Sequence, residues 1–440
     1  MKKNILSKIL KKKFSVAVIG LGYIGLPLAL ASAKSKIKTY GYDNDKEKIR
    51  LLYKNKSYIN TISSKELKKN IKNFFFPLSN FKNISNQDII VICVPTPLGK
   101  KNIPNLKYVT DVIKNIKNYI RKGQIIILEC TTYPGTTEEY FLPIFKQIKL
   151  TVGKNIFLGY SPEREDPGNN KFSVLKKNIP KVVSGYTKNC LDLVESFYKH
   201  ISNKVYRVKS IKTAEFTKLL ENIYRSVNIG LINELAEVCR KMNIDIHESI
   251  NAAKTKPFGF NAFYPGPGVG GHCIPVDPLY LTWKAKSYGV DTKFIKLAAK
   301  INNNRPHDIS SKILKILSKI NKKKSIKKIL LLGISYKKNS DDIRESPCLK
   351  IANSLFKHYQ NKLKVCDPNL NFKKSSQIKH LNSIKLRDLY KIKDLKKFDV
   401  LIILNAHDAF DLKKIVNGSK AVIDLVNSCN NIRHNNIIKI

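Results

Sequence analysis

At 440 residues, with 42% hydrophobic and 9% aromatic side chains, the chain is long enough for two or three domains with ordinary buried cores. Its 81 Lys+Arg against 33 Asp+Glu give a net charge of +48, but the lysines are spread along the whole chain without any nucleic-acid motif, so neither nucleic acid nor a membrane is an expected partner. The eight cysteines form no Cys-x-x-Cys pair, which argues against a metal site or a disulfide framework and for a reducing cytoplasm.

Met1 to Lys13 is basic, but Lys8 interrupts its apolar run, so it lacks the core of a signal peptide. No apolar run approaches the roughly 18 residues that span a bilayer. Phe14-Ser-Val-Ala-Val-Ile reads as a strand that ends in Gly20-Leu-Gly22-Tyr23-Ile24-Gly25. A helix start follows, with Pro27 in the first turn, where a missing N–H costs little. Glycines between a strand and a helix are the context of the dinucleotide fingerprint. Gly20 makes the tight turn, Gly22 lets the backbone reach a pyrophosphate, and Gly25 lets the helix pack closely on the strand. A second strand, Ile37 to Tyr42, ends at Asp43, about twenty residues after the first glycine, where a carboxylate takes the ribose hydroxyls and repels a 2′-phosphate. The expected cofactor is NAD rather than NADP.

Two further buried strands fit a parallel sheet. Asp88 to Val94 runs into Pro95-Thr96-Pro97, and Gln124 to Cys130 into Thr131-Thr132-Tyr-Pro-Gly. Ligands collect at the carboxyl ends of such strands, so Thr96 and Thr132 are placed to touch a nicotinamide or substrate; the alternative for each is a hydroxyl capping its own turn. Cys93 and Cys130, within apolar strands, read as packed core. Tyr160-Ser-Pro-Glu163-Arg164-Glu165-Asp166-Pro-Gly sets three carboxylates beside an arginine just past another strand, a pattern for proton transfer or for a solvated turn.

From Thr213 to Met242 apolar residues recur at helical spacing. Lys218 and Asn222 are four apart and share a face. Asn233 and Glu234 are unusual on so apolar a helix, which has the look of a subunit interface. Phe263 to Pro278 then reads Phe-Tyr-Pro-Gly-Pro-Gly-Val-Gly-Gly-His-Cys-Ile-Pro-Val-Asp-Pro. Alternating Gly and Pro exclude helix and central strand, leaving a loop rigid in places and bare in others. It carries Cys273, with Asp277 four residues on. Lys322 to Lys328 is a basic linker into Ile329-Leu-Leu-Leu-Gly333, a second strand-plus-glycine start without the fingerprint. Lys337 and Arg344 come next, as candidates for anion binding at that sheet's carboxyl edge.

Taken in order, Gly20-Leu-Gly-Tyr-Ile-Gly-Leu-Pro, Thr132-Tyr-Pro-Gly-Thr, Ser161-Pro-Glu-Arg, Lys218-x-x-x-Asn222, Gly270-Gly-His-Cys-Ile-Pro-Val-Asp277 and Tyr336-Lys with Asp342-x-Arg-Glu-Ser-Pro resemble the UDP-glucose/GDP-mannose dehydrogenase family over nearly the whole chain. Lys256-Pro-Phe-Gly-Phe and the Ser-Pro-Glu-Arg segment resemble its branch acting on UDP-N-acetylglucosamine. UDP-glucose enzymes usually carry a lysine before the loop aspartate; here Val276 stands there.

The resemblance implies an α/β protein: an NAD-binding Rossmann domain at 1–205, a central helical dimerisation and catalytic-loop region at 206–310, and a C-terminal Rossmann-like UDP-sugar-binding domain at 311–440. It implies a four-electron oxidation of a UDP-N-acetylhexosamine, UDP-N-acetylglucosamine foremost, at C6 through a thiohemiacetal and thioester on Cys273, serving surface polysaccharide synthesis, with UDP-glucose, UDP-N-acetylgalactosamine and UDP-N-acetylmannosamine as alternative substrates. Lys218 and Asn222 would stabilise the oxyanion, Glu163 would assist hydrolysis, and Asp277 and Thr132 complete the catalytic set. Gly20, Gly22, Tyr23, Ile24, Gly25, Asp43, Thr96, Thr132 and Arg344 would hold the cofactor. Glu163, Arg164, Lys218, Asn222, Phe263, Tyr264, Gly268, Gly270 and Lys337 would hold the sugar nucleotide. The family's second acid aligns with either Glu165 or Asp166. A homodimer or larger homo-oligomer is expected. A non-catalytic NAD-binding protein would not need Cys273, Lys218 and Asn222, and 6-phosphogluconate-type or 3-hydroxyacid dehydrogenases would not need the cysteine loop.

Overall fold

Short runs of Ile, Val and Leu bounded by glycine and polar residues become strands buried on both faces, as parallel sheets require. The computed structural model describes residues 1–59, 62–71, 73–165, 172–271, 273–323, 325–373, 375–390 and 395–440. They fall into two bodies, Met1–Glu221 with Leu279–Asp291 and Asn222–Pro278 with Thr292–Ile440.

The first body holds eight strands: β1 (Ser15–Ile19), β2 (Lys38–Tyr42), β3 (Phe75–Leu78), β4 (Ile89–Ile92), β5 (Ile125–Leu128), β6 (Phe157–Tyr160), β7 (Lys181–Gly185) and β8 (Val205–Arg207). Their order is β3-β2-β1-β4-β5-β6-β7-β8, parallel except that β7 runs against β6. The strand order reverses beside β1, so the crevice for a ligand opens at the carboxyl ends of β1 and β4. The turn that leaves β1 depends on Gly20, at φ +90°, where a Cβ would lie 2.6 Å from the Cys93 carbonyl oxygen. Helix Gly25–Lys34 starts directly after it, and a Cβ on Gly25 would fall 1.8 Å from the Gly20 carbonyl oxygen. Cys93 and Cys130 are core residues, as expected. The basic N-terminal segment forms a helix, Lys2–Leu10, that buries Ile5 and Ile9.

The second body repeats the plan in five parallel strands: β9 (Ile329–Leu332), β10 (Leu363–Cys366), β11 (Val400–Ile403), β12 (Val422–Asp424) and β13 (Ile437–Lys439), ordered β10-β9-β11-β12-β13. The apolar pattern of the sequence materialises as a 31-residue helix, Ile211–Lys241, whose residues from Asn222 onward belong to this body. It crosses the helix Lys293–Lys323 where Gly230 faces Ala298, and a Cβ on Gly230 would still sit at ordinary van der Waals distance, 3.4 Å, from the Ala298 carbonyl oxygen. Asn302 donates to the Ser226 carbonyl at 2.8 Å across the same crossing. One expectation needs correction. The run Lys322–Lys328 is not all linker, since the helix continues to Lys323; lysine is a good helix former and nothing in the sequence stops the helix earlier.

Near the end of the crossing, Glu237 accepts from Arg305 at 2.7 Å and is bonded by Lys312. Burial opposes ionisation of Glu237, but the bonds to Lys312 and Arg305 outweigh it and lower its carboxyl from 4.5 to about 2. A carboxyl depressed in the fold stabilises it above the unfolded value, and that contribution is lost as pH falls from about 4.5 to about 2. Glu237→Gln should therefore lose about 1 kcal/mol at pH 7, a figure reduced for solvent screening of a partly exposed group. Urea midpoints of wild type and variant should converge as pH approaches 2. A gap unchanged by pH would show that the ion pairs contribute nothing.

Candidate active site

At the carboxyl edge of the first sheet, Asp43 closes the turn after β1. Its carboxylate accepts the Leu21 N–H at 2.9 Å and the Asp45 N–H at 2.9 Å, with Lys48 at 3.3 Å. The Tyr58 hydroxyl donates to the Leu21 carbonyl at 2.6 Å, so the turn is held from both sides. Within this rigid frame Gly22 is bare: a Cβ there would meet nothing within 4 Å. Exposed backbone at the start of a helix, with a carboxylate at the end of the next strand, fits the pyrophosphate and ribose of a dinucleotide. Tyr23 and Ile24 are partly buried against the core beneath it.

The two threonines separate. Thr96 donates to the Thr131 carbonyl at 2.7 Å, which makes it a turn cap, and its own carbonyl accepts the Tyr280 hydroxyl at 2.8 Å. The Thr132 hydroxyl is fully buried without a hydrogen-bond partner among the described residues, an arrangement that a bound polar group would relieve.

Past β6, Glu163 is buried. One of its oxygens accepts the Arg164 N–H at 2.7 Å and the Glu165 N–H, and the other lies 3.0 Å from the Lys181 ammonium. Arg164 turns away to Glu221 at 2.8 Å and to the Pro180 carbonyl at 2.9 Å. Glu165 accepts the Val174 N–H at 2.9 Å; burial and the neighbouring Glu163 raise its carboxyl above the ordinary range. Asp166, the other candidate for a second acid, lies outside the described residues. On the long helix, Lys218 is only 8% exposed, and its ammonium has no hydrogen bond or ion pair among the described residues. One turn before it, Glu215 accepts from the Gly135 N–H at 2.5 Å and from the N–H and hydroxyl of Thr137 at 2.9 and 2.7 Å. Glu215 thus ties the helix of Lys218 to the loop of Thr132.

In the second body, the Asn222 amide donates to Asp277 at 2.5 Å, both side chains being buried. Asp277 opens the helix Asp277–Lys286 and donates its N–H to the Cys273 carbonyl at 2.8 Å. The thiol therefore heads a helical turn, where aligned peptide dipoles favour an anion. The loop before it is fixed at several points. Asn233 accepts the Gly266 N–H at 3.1 Å, Arg305 donates to the Gly266 carbonyl at 3.2 Å, and the Arg344 carbonyl accepts the Gly271 N–H at 3.0 Å. Gly268 abuts Pro306 and Pro347, and a Cβ on Gly270 would lie 2.4 Å from that of Tyr336. Phe263 packs edge-on to Tyr224, and the Tyr264 hydroxyl reaches Asn251 at 2.9 Å. Asp342 clasps the Arg344 guanidinium through bonds of 2.6 to 3.1 Å, and Lys337 lies in the turn after β9.

The expected residues therefore gather as Gly20, Gly22, Gly25, Asp43, Thr132 and Glu163 at the edge of the first body, and as Asn222, Asp277, Cys273 and the glycine loop in the second. Sequence reasoning missed Lys181, Glu129 and Glu215. A carboxylate in Ile-Ile-Ile-Leu-Glu129-Cys was a legible sign of a buried charge; Lys181 was hidden among 81 basic residues.

Three family models match the chain: the NAD binding domain of the UDP-glucose/GDP-mannose dehydrogenase family over residues 14–202, its central domain over 212–304, and its UDP binding domain over 330–431. A UDP-N-acetyl-D-glucosamine 6-dehydrogenase of Salmonella typhi is 35% identical, covering 80% of this chain and 82% of its own. A UDP-N-acetyl-D-mannosamine dehydrogenase of Methanocaldococcus jannaschii is also 35% identical, over 77% and 76%. A solved UDP-D-ManNAc dehydrogenase of Pyrococcus horikoshii superimposes with a TM-score of 0.81 at 28% identity, covering 94% and 95%.

The glycine geometry separates binding from folding. Gly22→Ala adds a methyl to open space and should change stability by no more than about 0.5 kcal/mol, while weakening NAD binding at least several-fold. Gly25→Ala drives a methyl into a backbone carbonyl and should yield little folded protein. Thermal melts beside NAD titration check both; equal behaviour of the two variants would refute the assignment.

Proposed function

Because the chain belongs to the UDP-glucose/GDP-mannose dehydrogenase family, NAD-dependent oxidoreductases acting on CH–OH, we propose that it oxidises the C6 alcohol of a UDP-N-acetylhexosamine, UDP-N-acetylglucosamine foremost, to the uronate. The observation that carries the mechanism is that, of the eight cysteines, Cys273 alone is exposed, at the head of a helix in a loop fixed on both sides. The cofactor site at Gly20, Gly22 and Asp43 would hold NAD, which would supply a hydride acceptor; two NAD are used per sugar, one for the alcohol, whose hydroxyl proton leaves to solvent, and one for the thiohemiacetal. The Cys273 sulfur adds to the C6 aldehyde, forming a C–S bond and placing negative charge on the carbonyl oxygen. Lys218 and Asn222 stabilise that charge; Lys218 is suited to it because no protein anion among the described residues already neutralises its ammonium. Asp277 fixes the Asn222 amide. Loss of the second hydride leaves a thioester. Glu163 then takes a proton from water as the water oxygen bonds to the carbonyl carbon, the C–S bond breaks, and the sulfur returns to Cys273 as thiolate.

Phe263, Tyr264, Gly268 and Gly270 of the loop, with Lys337, are assigned to the UDP-sugar, and Thr132 and Arg344 to the cofactor end; Thr96 serves that end by capping its turn, and Arg164 would reach the sugar nucleotide only by leaving Glu221. Val276, where UDP-glucose enzymes carry lysine, and the relative from Salmonella typhi support the N-acetylglucosamine assignment. The relatives that act on UDP-N-acetylmannosamine support a second reading, the C2 epimer. Phe216, Leu220, Tyr224, Leu231, Leu235 and Val238 form an exposed apolar stripe on the long helix, which we assign to a homodimer interface. Among the described residues no helix is long and apolar enough to cross a membrane, and no cysteine is in a disulfide; we place the enzyme in the cytoplasm, feeding surface polysaccharide synthesis.

The test is a panel of UDP-sugars with excess NAD. UDP-N-acetylglucosamine should give two NADH per sugar, with kcat/KM at least about tenfold above UDP-glucose. A maximum on UDP-N-acetylmannosamine would select the second reading, and one on UDP-glucose would refute both. Cys273→Ala should abolish uronate formation while NAD and UDP-sugar still bind; substantial uronate from that variant would sink the covalent route. Leu231→Glu with Leu235→Glu should shift light-scattering mass to the monomer, and an unchanged mass would place the interface elsewhere.

A further inference from the structure

Four buried polar side chains from four different elements meet in the first body. Glu129 follows β5, Glu163 follows β6, Lys181 begins β7, and Tyr198 ends the helix Lys188–Tyr198. None is more than 5% exposed. The Lys181 ammonium is bonded to Glu129 and lies 3.0 Å from Glu163, and the Tyr198 hydroxyl donates to the other oxygen of Glu129.

The topology explains how the lysine arrives there. In a wholly parallel sheet the amino end of β7 would lie at the edge opposite the carboxyl end of β6. Because β7 is antiparallel to β6, with Tyr160 across from Ser184 and Gly159 across from Gly185, the same register carried outward sets Lys181 across from Glu163. The one reversal next to β6 thus delivers a cation to the edge where ligands collect.

A buried ammonium between two carboxylates is poor value as a stabilising device, since apolar residues of the same volume hold a fold as well or better. What it does well is fix one carboxylate in one ionisation state and one orientation. Glu163 has one oxygen on two backbone N–H groups and the other on Lys181, so its position is fully determined. Burial alone would favour the neutral acid, but Lys181, with Glu129 beside it, outweighs burial and lowers the Glu163 carboxyl below its ordinary range. Burial raises Glu129 to about 7, against the pull of Lys181.

We propose that Lys181 is the positioning residue of this reaction, holding Glu163 ionised and oriented as the base for thioester hydrolysis, with Glu129 as the second carboxylate that anchors the lysine. The proposal rests on the assignment of Glu163 as that base. Besides the Tyr198 phenol within the cluster, the titratable groups facing it among the described residues are Glu165 from the same loop, Cys93 after β4 and Cys130 beside Glu129. Burial keeps both thiols and the phenol neutral through the working range, so the acid limb of the reaction reports the carboxylates. Glu165 is itself raised, by burial first and Glu163 second, and titrates with them.

The test compares full-length Lys181→Arg, Lys181→Met, Lys181→Met with Glu129→Gln, and Glu163→Gln, each checked for fold by circular dichroism and thermal melt. The double variant removes the cation together with its second counter-ion and remains informative if Lys181→Met alone fails to fold. In the folded variants lacking the lysine, kcat at pH 7 should fall about 10- to 100-fold, with KM for the UDP-sugar changed less than about threefold. The acid limb of kcat should move at least about one pH unit upward, because Glu163 is no longer held ionised. Lys181→Arg should recover most of the rate and restore the limb. A folded double variant with wild-type kcat and an unmoved limb overturns the positioning role while leaving Glu163 as base, provided Glu163→Gln is slow. Glu163→Gln at wild-type speed overturns the base assignment itself and the inference with it.

Discussion

At the end of the first strand of each sheet the chain can turn only because the residue there has no Cβ. A Cβ on Gly20 would lie 2.6 Å from the Cys93 carbonyl oxygen, and one on Gly333 2.1 Å from that of Asn405. Behind each glycine a carboxylate at the end of the neighbouring strand receives the N–H groups of the turn. Asp43 takes Leu21 and Asp45; Asp367 takes Ile334, Ser335 and Asn369. The two sheets share this device and diverge immediately after it. Beyond Gly20 the chain offers bare backbone at Gly22 and enters a helix. Beyond Gly333 the corresponding edge is filled by the protein itself: His407, fully buried, bonds Asp367 at 3.1 Å and accepts the Asn339 N–H at 2.9 Å.

That contrast explains which features could be read from the sequence. The first sheet was legible because its turn, helix and acid fall within one short stretch, and each residue type has a local reason to be there. The second sheet was legible as strands with a terminal glycine, and the structure forms β9 with Gly333 in the turn after it. The long helix was legible from its period, and its crossing with the helix Lys293–Lys323, where Asn302 donates to the Ser226 carbonyl, was not, because that meeting is a tertiary fact. The same holds for Glu215: an ordinary glutamate on a helix becomes the cap of another helix only once Gly135 and Thr137 are brought beside it.

The carboxylate site shows the limit most clearly. Ser161-Pro-Glu163-Arg164 marked Glu163, but its partners come from β5, from β7 and from the end of a helix. The position of Lys181 depends on the direction of one strand, which no residue pattern near Lys181 specifies. Arg164, adjacent in sequence and the obvious cation, points instead to Glu221 and the Pro180 carbonyl.

Among the described residues the first body buries two lysines, Lys181 and Lys218, and they are opposites. Lys181 lies between two carboxylates, so any new negative charge nearby would compete with anions already in place. Lys218, 8% exposed, has no such partner among the described residues. An ammonium in a water-poor place that no described carboxylate neutralises is available to a negative charge that arrives later. The same cation is most effective at the moment an oxyanion forms beside it, because nothing has to reorganise and no carboxylate has to be displaced. In a chain of net charge +48 almost any lysine can attract an anionic ligand from solution. A water-poor lysine with no counter-ion among the described residues responds more to a developing charge than to one present throughout, and this is the setting that the oxyanion role proposed for Lys218 calls for.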